Sequence, residues 1–180
     1  MFRDINEQPG VLIHLIKENA PFPNNGHLPL VVYQGAFAFQ GALDPGLIEK
    51  TFSKHGWVGS WRNGLYPFHH YHSTAHEVLG IYSGSVRVQF GGEEGLKLAA
   101  STGDVLILPA GLAHKNLWSS YDFRVVGAYP RGTTWDMNYG KAGERPGADE
   151  NIARVPLPEN DPVYGTEGVL LKHWNFISHD

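Results

Sequence analysis

Short apolar runs, cut at close intervals by glycine, proline and small polar residues, set the rhythm of this chain. Residues 11–16 and 28–39 read as extended, β-rich segments on either side of the turn-forming stretch Pro21-Phe22-Pro23-Asn24-Asn25-Gly26. Their position predicts edge or arm strands. The period then changes. Asp44 followed by Pro45 has the form of a helix N-cap with proline at the first helical position, and Leu47, Ile48 and Phe52 recur at helical spacing until Gly56. One short N-terminal helix is predicted there, with Glu49, Lys50 and Lys54 on its solvated face.

From Tyr66 the pattern returns to strands. Residues 78–82, 86–90, 96–100 and 105–108 are predicted strands, separated by Ser83-Gly84-Ser85, by the glycine-rich run 91–95 and by Ser101-Thr102-Gly103-Asp104, and another is predicted at 123–129. Evenly spaced short strands with turn signals predict an all-β sandwich, jelly roll or small barrel. After Pro130 glycine, proline and aspartate make residues 131–168 loop-rich, ahead of an apolar end at 169–177. Trp135, Tyr139, Tyr164 and Trp174 anchor this tail, which is expected to wrap the barrel or cover its mouth. The chain is expected to form a single domain, 1–180, with arm strands and helix at 1–63, a barrel core at 64–129 and a wrapping tail at 130–180.

Composition narrows the function classes. Eighteen acidic against 14 basic residues give a formal net charge of -4, with no basic run, which argues against a nucleic-acid or anionic-membrane partner and makes a small molecule the default ligand. The start, MFRDINEQPG, lacks the features of a secretory signal, and no apolar stretch approaches the roughly 20 residues of a membrane span, so a soluble chain is expected. The absence of cysteine excludes disulfides and thiolate metal sites and suits a cytoplasmic location.

Ten histidines remain to be explained, four of them between positions 69 and 76. On a strand His70 and His72 project side by side while Tyr71 points away, the spacing a metal needs from two ligands on one strand. Glu77 lies at an odd offset from His72, which puts it on the opposite face unless Ser73-Thr74-Ala75 turns the chain back. His114 arrives from elsewhere, just after the bend at Pro109-Ala110-Gly111. Imidazole suits zinc, copper, iron and nickel, and an added carboxylate extends the choice to manganese. Four such ligands on an octahedral ion leave about two positions open for substrate, water or dioxygen.

The spacing around these residues is specific. Gly64, five residues, His70-Tyr71-His72, four residues, Glu77, six residues and Gly84 resemble the first cupin motif at every position. Gly103, five residues, Pro109-Ala110-Gly111, two residues and His114 resemble the second. The wording HHYHSTAHEVLGIYSGS and GDVLILPAGLAH, with LVVYQGAF and VPLPENDPVYG outside it, is similar to the YjlB-like cupin subfamily over most of the chain. One position departs: Trp118 stands where the second motif has asparagine, with Asn116 nearby. The resemblance implies a double-stranded β-helix, or jelly-roll barrel, that holds one divalent transition metal (iron, manganese, zinc or nickel) inside one end, often as a homodimer. It implies no single reaction.

Further residues are candidates around such a site. His76, beside Glu77, is a candidate alternative ligand or outer donor. Arg87 and Gln89 alternate with Val86, Val88 and Phe90 and either face solvent or, turned inward, fix a substrate carboxylate or hydroxyl. Trp57, Trp61, Tyr66 and Trp118 are candidates for core or for an apolar cavity wall. His69 should turn away from His70, and His14, His27, His55, His173 and His179 read as isolated surface or structural histidines. The expected function is a mononuclear metalloenzyme acting on a small organic molecule, with dioxygenase-like chemistry favoured and Glu77 as ligand and base. The alternatives are a metal-dependent sugar or keto-acid isomerase and a non-catalytic ligand-binding protein.

Overall fold

The computed structural model describes residues 4–174; residues 175–177 of the apolar end and His179 lie outside the described residues. Among the described residues, nine strands form two antiparallel sheets. β1 (Gly10–Ile16) and β2 (Asn25–Gln34) pair as a hairpin. They continue into a six-stranded sheet with β7 (Val105–Leu108), β4 (Glu77–Ser83), β9 (Arg124–Pro130) and β3 (Trp57–Asn63), in the order β1-β2-β7-β4-β9-β3. The second sheet has three strands in the order β6-β5-β8, with β6 (Leu96–Ser101), β5 (Ser85–Phe90) and β8 (His114–Ser119).

The two sheets face each other across an apolar core. Leu30 and Val32 of β2, Leu79 and Ile81 of β4, Leu106 and Leu108 of β7 and Val125 of β9 meet Val86, Val88 and Phe90 of β5 there. Residues one position out of phase point the other way: Val31, Tyr33, Val78, Val105, Ile107 and Val126 form a second core on the outer face of the large sheet. Helix α1 (Pro45–Lys54) covers that face with Ile48 and Phe52, and the tail adds Val163, Leu170 and Trp174. Burial on both faces explains why β2, β4 and β7 read as nearly unbroken apolar runs rather than as an alternation. It also corrects the expectation for the N-terminal segments: β1 is an edge strand, but β2 is an inner one.

The jelly-roll barrel and the short helix are as the sequence predicts, including the Asp44 cap, whose carboxylate accepts the Gly46 N–H at 2.8 Å. The expected loop-rich tail carries two helices, α2 (Gly147–Arg154) and α3 (Val169–Trp174). Among the described residues, no helix is long and apolar enough to cross a membrane.

Candidate metal centre

At one end of the barrel β4 and β8 begin, and β5, β7 and β9 end. The segment carrying His70 and His72 crosses this end between two neighbours. His70 exchanges main-chain hydrogen bonds with His114 at 3.2 and 3.0 Å, and Tyr71 exchanges two with Asn138 at 3.0 Å. Alternation then acts as predicted: Tyr71 turns away to pack with Phe22, Ala113 and Ala148, while both histidines face the barrel. The main-chain N–H of Gly111 donates to the His72 carbonyl at 2.7 Å and brings the second motif alongside. Gly111 is required there because its φ is 93° and a Cβ would lie 2.3 Å from the Asn24 carbonyl oxygen.

The chain does turn after His72. The Asp136 carboxylate accepts the N–H groups of Ser73 at 2.6 Å and Thr74 at 3.3 Å and the Ser73 hydroxyl, and Glu77 comes back to the same side. Its Oε2 lies 3.4 Å from His72 Nε2 and 3.7 Å from His114 Nε2. The rings of His70 and His114 approach to 4.2 Å between centroids. The structure thus gathers all four predicted ligands in one place, and all four are buried.

Each imidazole is oriented by its other nitrogen. Nδ1 of His70 contacts the Phe68 carbonyl at 3.0 Å, Nδ1 of His114 the Leu112 carbonyl at 3.0 Å, and Nδ1 of His72 the Asp136 carbonyl. A carbonyl oxygen only accepts, so each Nδ1 carries the hydrogen and each neutral ring keeps its lone pair on Nε2. Burial is the largest influence on all three. It pulls His70 below the ordinary imidazole value and His114 well below it; at His72 the negative charge of Glu77, with the Asp136 carbonyl and carboxylate beside it, outweighs burial and raises the value.

The set is more open than a filled metal centre. Among the described residues, no three His, Asp or Glu side chains are close enough around one point to hold an ion as they stand. What fits an ion is the donor chemistry. Glu77 Oε2 and His114 Nε2 are buried without a hydrogen-bond partner, an arrangement that is costly unless something else satisfies them. Glu77 Oε2 lies 3.4 Å from His72 Nε2 and 3.7 Å from His114 Nε2, so the side chains would have to draw inward to bind one ion with bonds of about 2.0–2.1 Å.

A cavity of about 350 Å³ opens onto the four residues. Its lining is mostly aromatic and apolar, with Trp61, Leu65, Tyr66, Tyr129, Trp135 and Met137, and Arg62 and Asn63 also border it. The Trp61 indole N–H donates to the Tyr129 hydroxyl at 2.9 Å, and Tyr129 stacks on Trp135 with centroids 5.9 Å apart. Burial and the neighbouring Glu77 charge push the Tyr129 pKa up, so this hydroxyl stays protonated. Trp135 and Met137 come from the tail, which therefore forms part of the mouth. Asp136, Met137 and Tyr129 were not marked by the sequence; Trp135 was marked only as an anchor.

Other sequence candidates lie elsewhere. His76 has both ring nitrogens engaged away from the centre, Nδ1 accepting from Ala110 N–H at 2.9 Å and Nε2 meeting the Pro156 carbonyl at 3.2 Å, with its ring on Trp174. It ties the second motif to the tail and is neither ligand nor outer donor. Arg87 and Gln89 share the outer face of β5, because Val86, Val88 and Phe90 occupy the inner one. Arg87 is exposed, and Gln89 is covered by the 91–95 loop, donating to the Glu93 carbonyl. Trp118 pairs with Arg87 across the strands and is 61% exposed, so it does not wall the cavity. Asn116 turns its amide to Ser119, and Trp57 is core. His69 does turn away, towards Phe22 and Glu93.

No protein-family profile matches the chain. It is similar to the uncharacterized protein YjlB of Bacillus subtilis (strain 168), with 43% identity over 161 residues, 89% of this chain and 94% of that protein. Overlaps with solved structures are looser. Procruciferin, an 11S globulin from Brassica napus, shares 16% identity at a TM-score of 0.37 over 63% of this chain, which spans only 23% of the globulin chain. A DUF861 family protein from Thermotoga maritima shares 27% identity at a TM-score of 0.32, over 46% of this chain and 85% of its own. The 3,5-epimerase RmlC from Legionella pneumophila shares 12% identity at a TM-score of 0.38, over 68% and 72% respectively. At these scores the fold assignment stands on strand order and packing.

Proposed function

The chain belongs to one family with YjlB of Bacillus subtilis, and from that premise we propose a cupin metalloenzyme acting on a small organic molecule. His70, His72, Glu77 and His114 hold one divalent transition metal, iron, manganese, zinc or nickel, at the base of the aromatic cavity. The observation that carries this reading is the fixed tautomer of all three imidazoles. Each Nδ1 is tied to a main-chain carbonyl, so every Nε2 lone pair is left for a ligand beside the unpartnered oxygen of Glu77.

When bound, such an ion supplies a Lewis-acid centre for an oxygen donor of the substrate and, if redox-active, dioxygen chemistry. The chain supplies the rest. Trp61, Tyr66, Tyr129 and Trp135 exclude water and orient a flat apolar body. A cavity of about 150 Å³ accepts benzene, so about 350 Å³ gives room for a substituted ring or a small fused pair. Glu77 is the carboxylate placed to take a proton from a substrate hydroxyl, and the protonated Tyr129 hydroxyl stands beside it as a donor.

Dioxygenase-like chemistry is the form proposed. Metal analysis of protein purified without an affinity tag or chelator should find about one divalent transition metal per chain. Oxygen uptake should then follow addition of a phenol or hydroxyketone from a panel. Turnover that persists anaerobically with manganese or zinc would move the assignment to an isomerase, and tight ligand binding without turnover would move it to a binding protein.

A further inference from the structure

We infer that Asp136 is the positioning residue of this centre, setting both the ring of His72 and the chain reversal that returns Glu77 to it. The inference rests on the metal-site reading above. Asp136 reaches the two ligands through different groups. Its main-chain carbonyl receives the Nδ1 hydrogen of His72, fixing that ring's tautomer and rotation. Its carboxylate receives Ser73 N–H at 2.6 Å, Thr74 N–H at 3.3 Å and the Ser73 hydroxyl, the groups that lead from His72 towards Glu77.

That reversal is a geometric requirement. Five positions separate Glu77 from His72, so an uninterrupted strand would aim the two at opposite faces. A tight turn must absorb the odd offset, and its amide groups need acceptors that the sheets do not provide. Asp136 supplies them from more than 60 residues away in sequence. The carboxylate is itself held by Asn138, whose side-chain amide donates at 2.9 Å, and Asn138 is the residue paired with Tyr71 between the two ligand histidines. Asn151 of α2 donates to the Ser73 hydroxyl at 3.1 Å and closes the arrangement from the other side. Among the described residues no Lys or Arg is paired with Asp136, so its negative charge remains beside a site built for a cation. A residue serving only to fasten the tail needs neither the contact with the His72 ring nor the cap on the Ser73–Thr74 turn.

The test is cobalt(II) titration of the full-length chain, with affinity from chelator competition and visible absorption bands as the report of ligand geometry. Asp136→Ala keeps the main-chain carbonyl under His72 but removes the carboxylate that caps the Ser73–Thr74 turn and fixes residue 136 in place, so it should bind cobalt(II) about 10-fold more weakly, the low end for disturbing the support of a ligand, with altered bands at saturation. Asp136→Asn, which keeps an acceptor oxygen but sets an NH₂ group against donors, should shift both readouts less and in the same direction. Asp104→Asn is the control, since Asp104 caps the Gly35 and Ser101 N–H groups at 2.8 Å away from the centre; it should leave affinity and bands unchanged. A folded Asp136→Ala protein with native affinity and bands overturns the inference. If the alanine variant does not fold, the asparagine variant decides on the same criterion. Failure of the native chain to bind cobalt(II) any better than His114→Ala would instead overturn the metal reading, and this inference with it.

Discussion

A neutral imidazole offers one lone pair, and the three at this centre have no choice about which nitrogen carries it. Removing one should therefore cost a whole ligand rather than a replaceable contact: His70→Ala, His72→Ala or His114→Ala should lower metal content by at least about 10-fold by elemental analysis. Retention of full occupancy would remove that position from the site. Acid should act in the same direction, since protons compete with metal for Nε2, and occupancy should fall as pH drops through the range in which these imidazoles protonate. His76 gives a separate acid prediction. Burial pushes its pKa down from 6.5 to about 4, only partly offset by the Pro156 carbonyl, so the unfolded chain binds this proton more readily than the folded one. The stabilisation is present above about pH 6.5 and is lost as pH falls towards 4, by roughly 3 kcal/mol in all. His76→Gln should flatten that limb in melting curves of metal-free protein between pH 4 and 7; an unchanged limb would place the effect in other groups. His76 also shows where residue-level reading failed. Adjacency to Glu77 in sequence suggested a shared site, yet neighbours on extended chain point opposite ways, and its second partner, Pro156, is 80 positions distant.

Elements place these side chains, and the contact between β3 and β9 is the tightest example. Trp61 and Gly127 are paired across the two strands, and a Cβ at 127 would stand 2.2 Å from the indole. Gly127 therefore gives Trp61 the space to lie over β9 and reach the Tyr129 hydroxyl at the cavity wall. Gly127→Ala should destabilise the fold by about 1–3 kcal/mol, the range for overpacking, and weaken binding of any cavity ligand, while metal content stays native because no ligand lies on β3 or β9. Loss of metal in a folded Gly127→Ala protein would show that the wall and the centre are not separable. Strand β3 was not legible in the sequence, although its partner was. Its register shifts between Val58 and Trp61, Gly59 sits at φ 67°, and four of its seven residues face solvent, so neither an alternation nor an apolar run survives. Strand β8 is hidden for a related reason: His114 is bent into the centre and the rest lies on a sheet edge with mixed polarity. Strands β4, β5 and β7 were legible because apolar residues between glycine-rich turns leave few other structures open to them.

At the scale of the whole molecule the two cores divide the labour: the inner one closes the barrel, and the outer one lets α1 and the tail lock onto the large sheet. The aromatic residues of the tail revealed that it docks, but not that residues 135–137 reach the His72–Ser73 segment and the cavity, because contacts spanning more than 60 positions leave no local periodicity to read. That His70, His72, Glu77 and His114 come together was legible through the resemblance to the cupin motifs, with strand parity alone accounting only for the His70–His72 pair. If the proposed centre holds a metal, binding is expected to couple to global stability, because the site joins the 70–72 segment, the beginnings of β4 and β8 and the tail, and unfolding any of them dismantles it. Metal at about 100 times its dissociation constant should then stabilise the chain by about 2.7 kcal/mol, which for a domain of this size is a rise of roughly 5–10 °C in melting temperature. A chelator should reverse it. With ten histidines in the chain, ions could also raise the melting temperature through surface sites, so the decisive comparison is with His114→Ala. His114 is buried, and its substitution leaves every surface histidine intact. If the rise comes from the proposed centre it should vanish in that variant; a rise of the same size would assign the stabilisation to the surface and take this support away from the buried site.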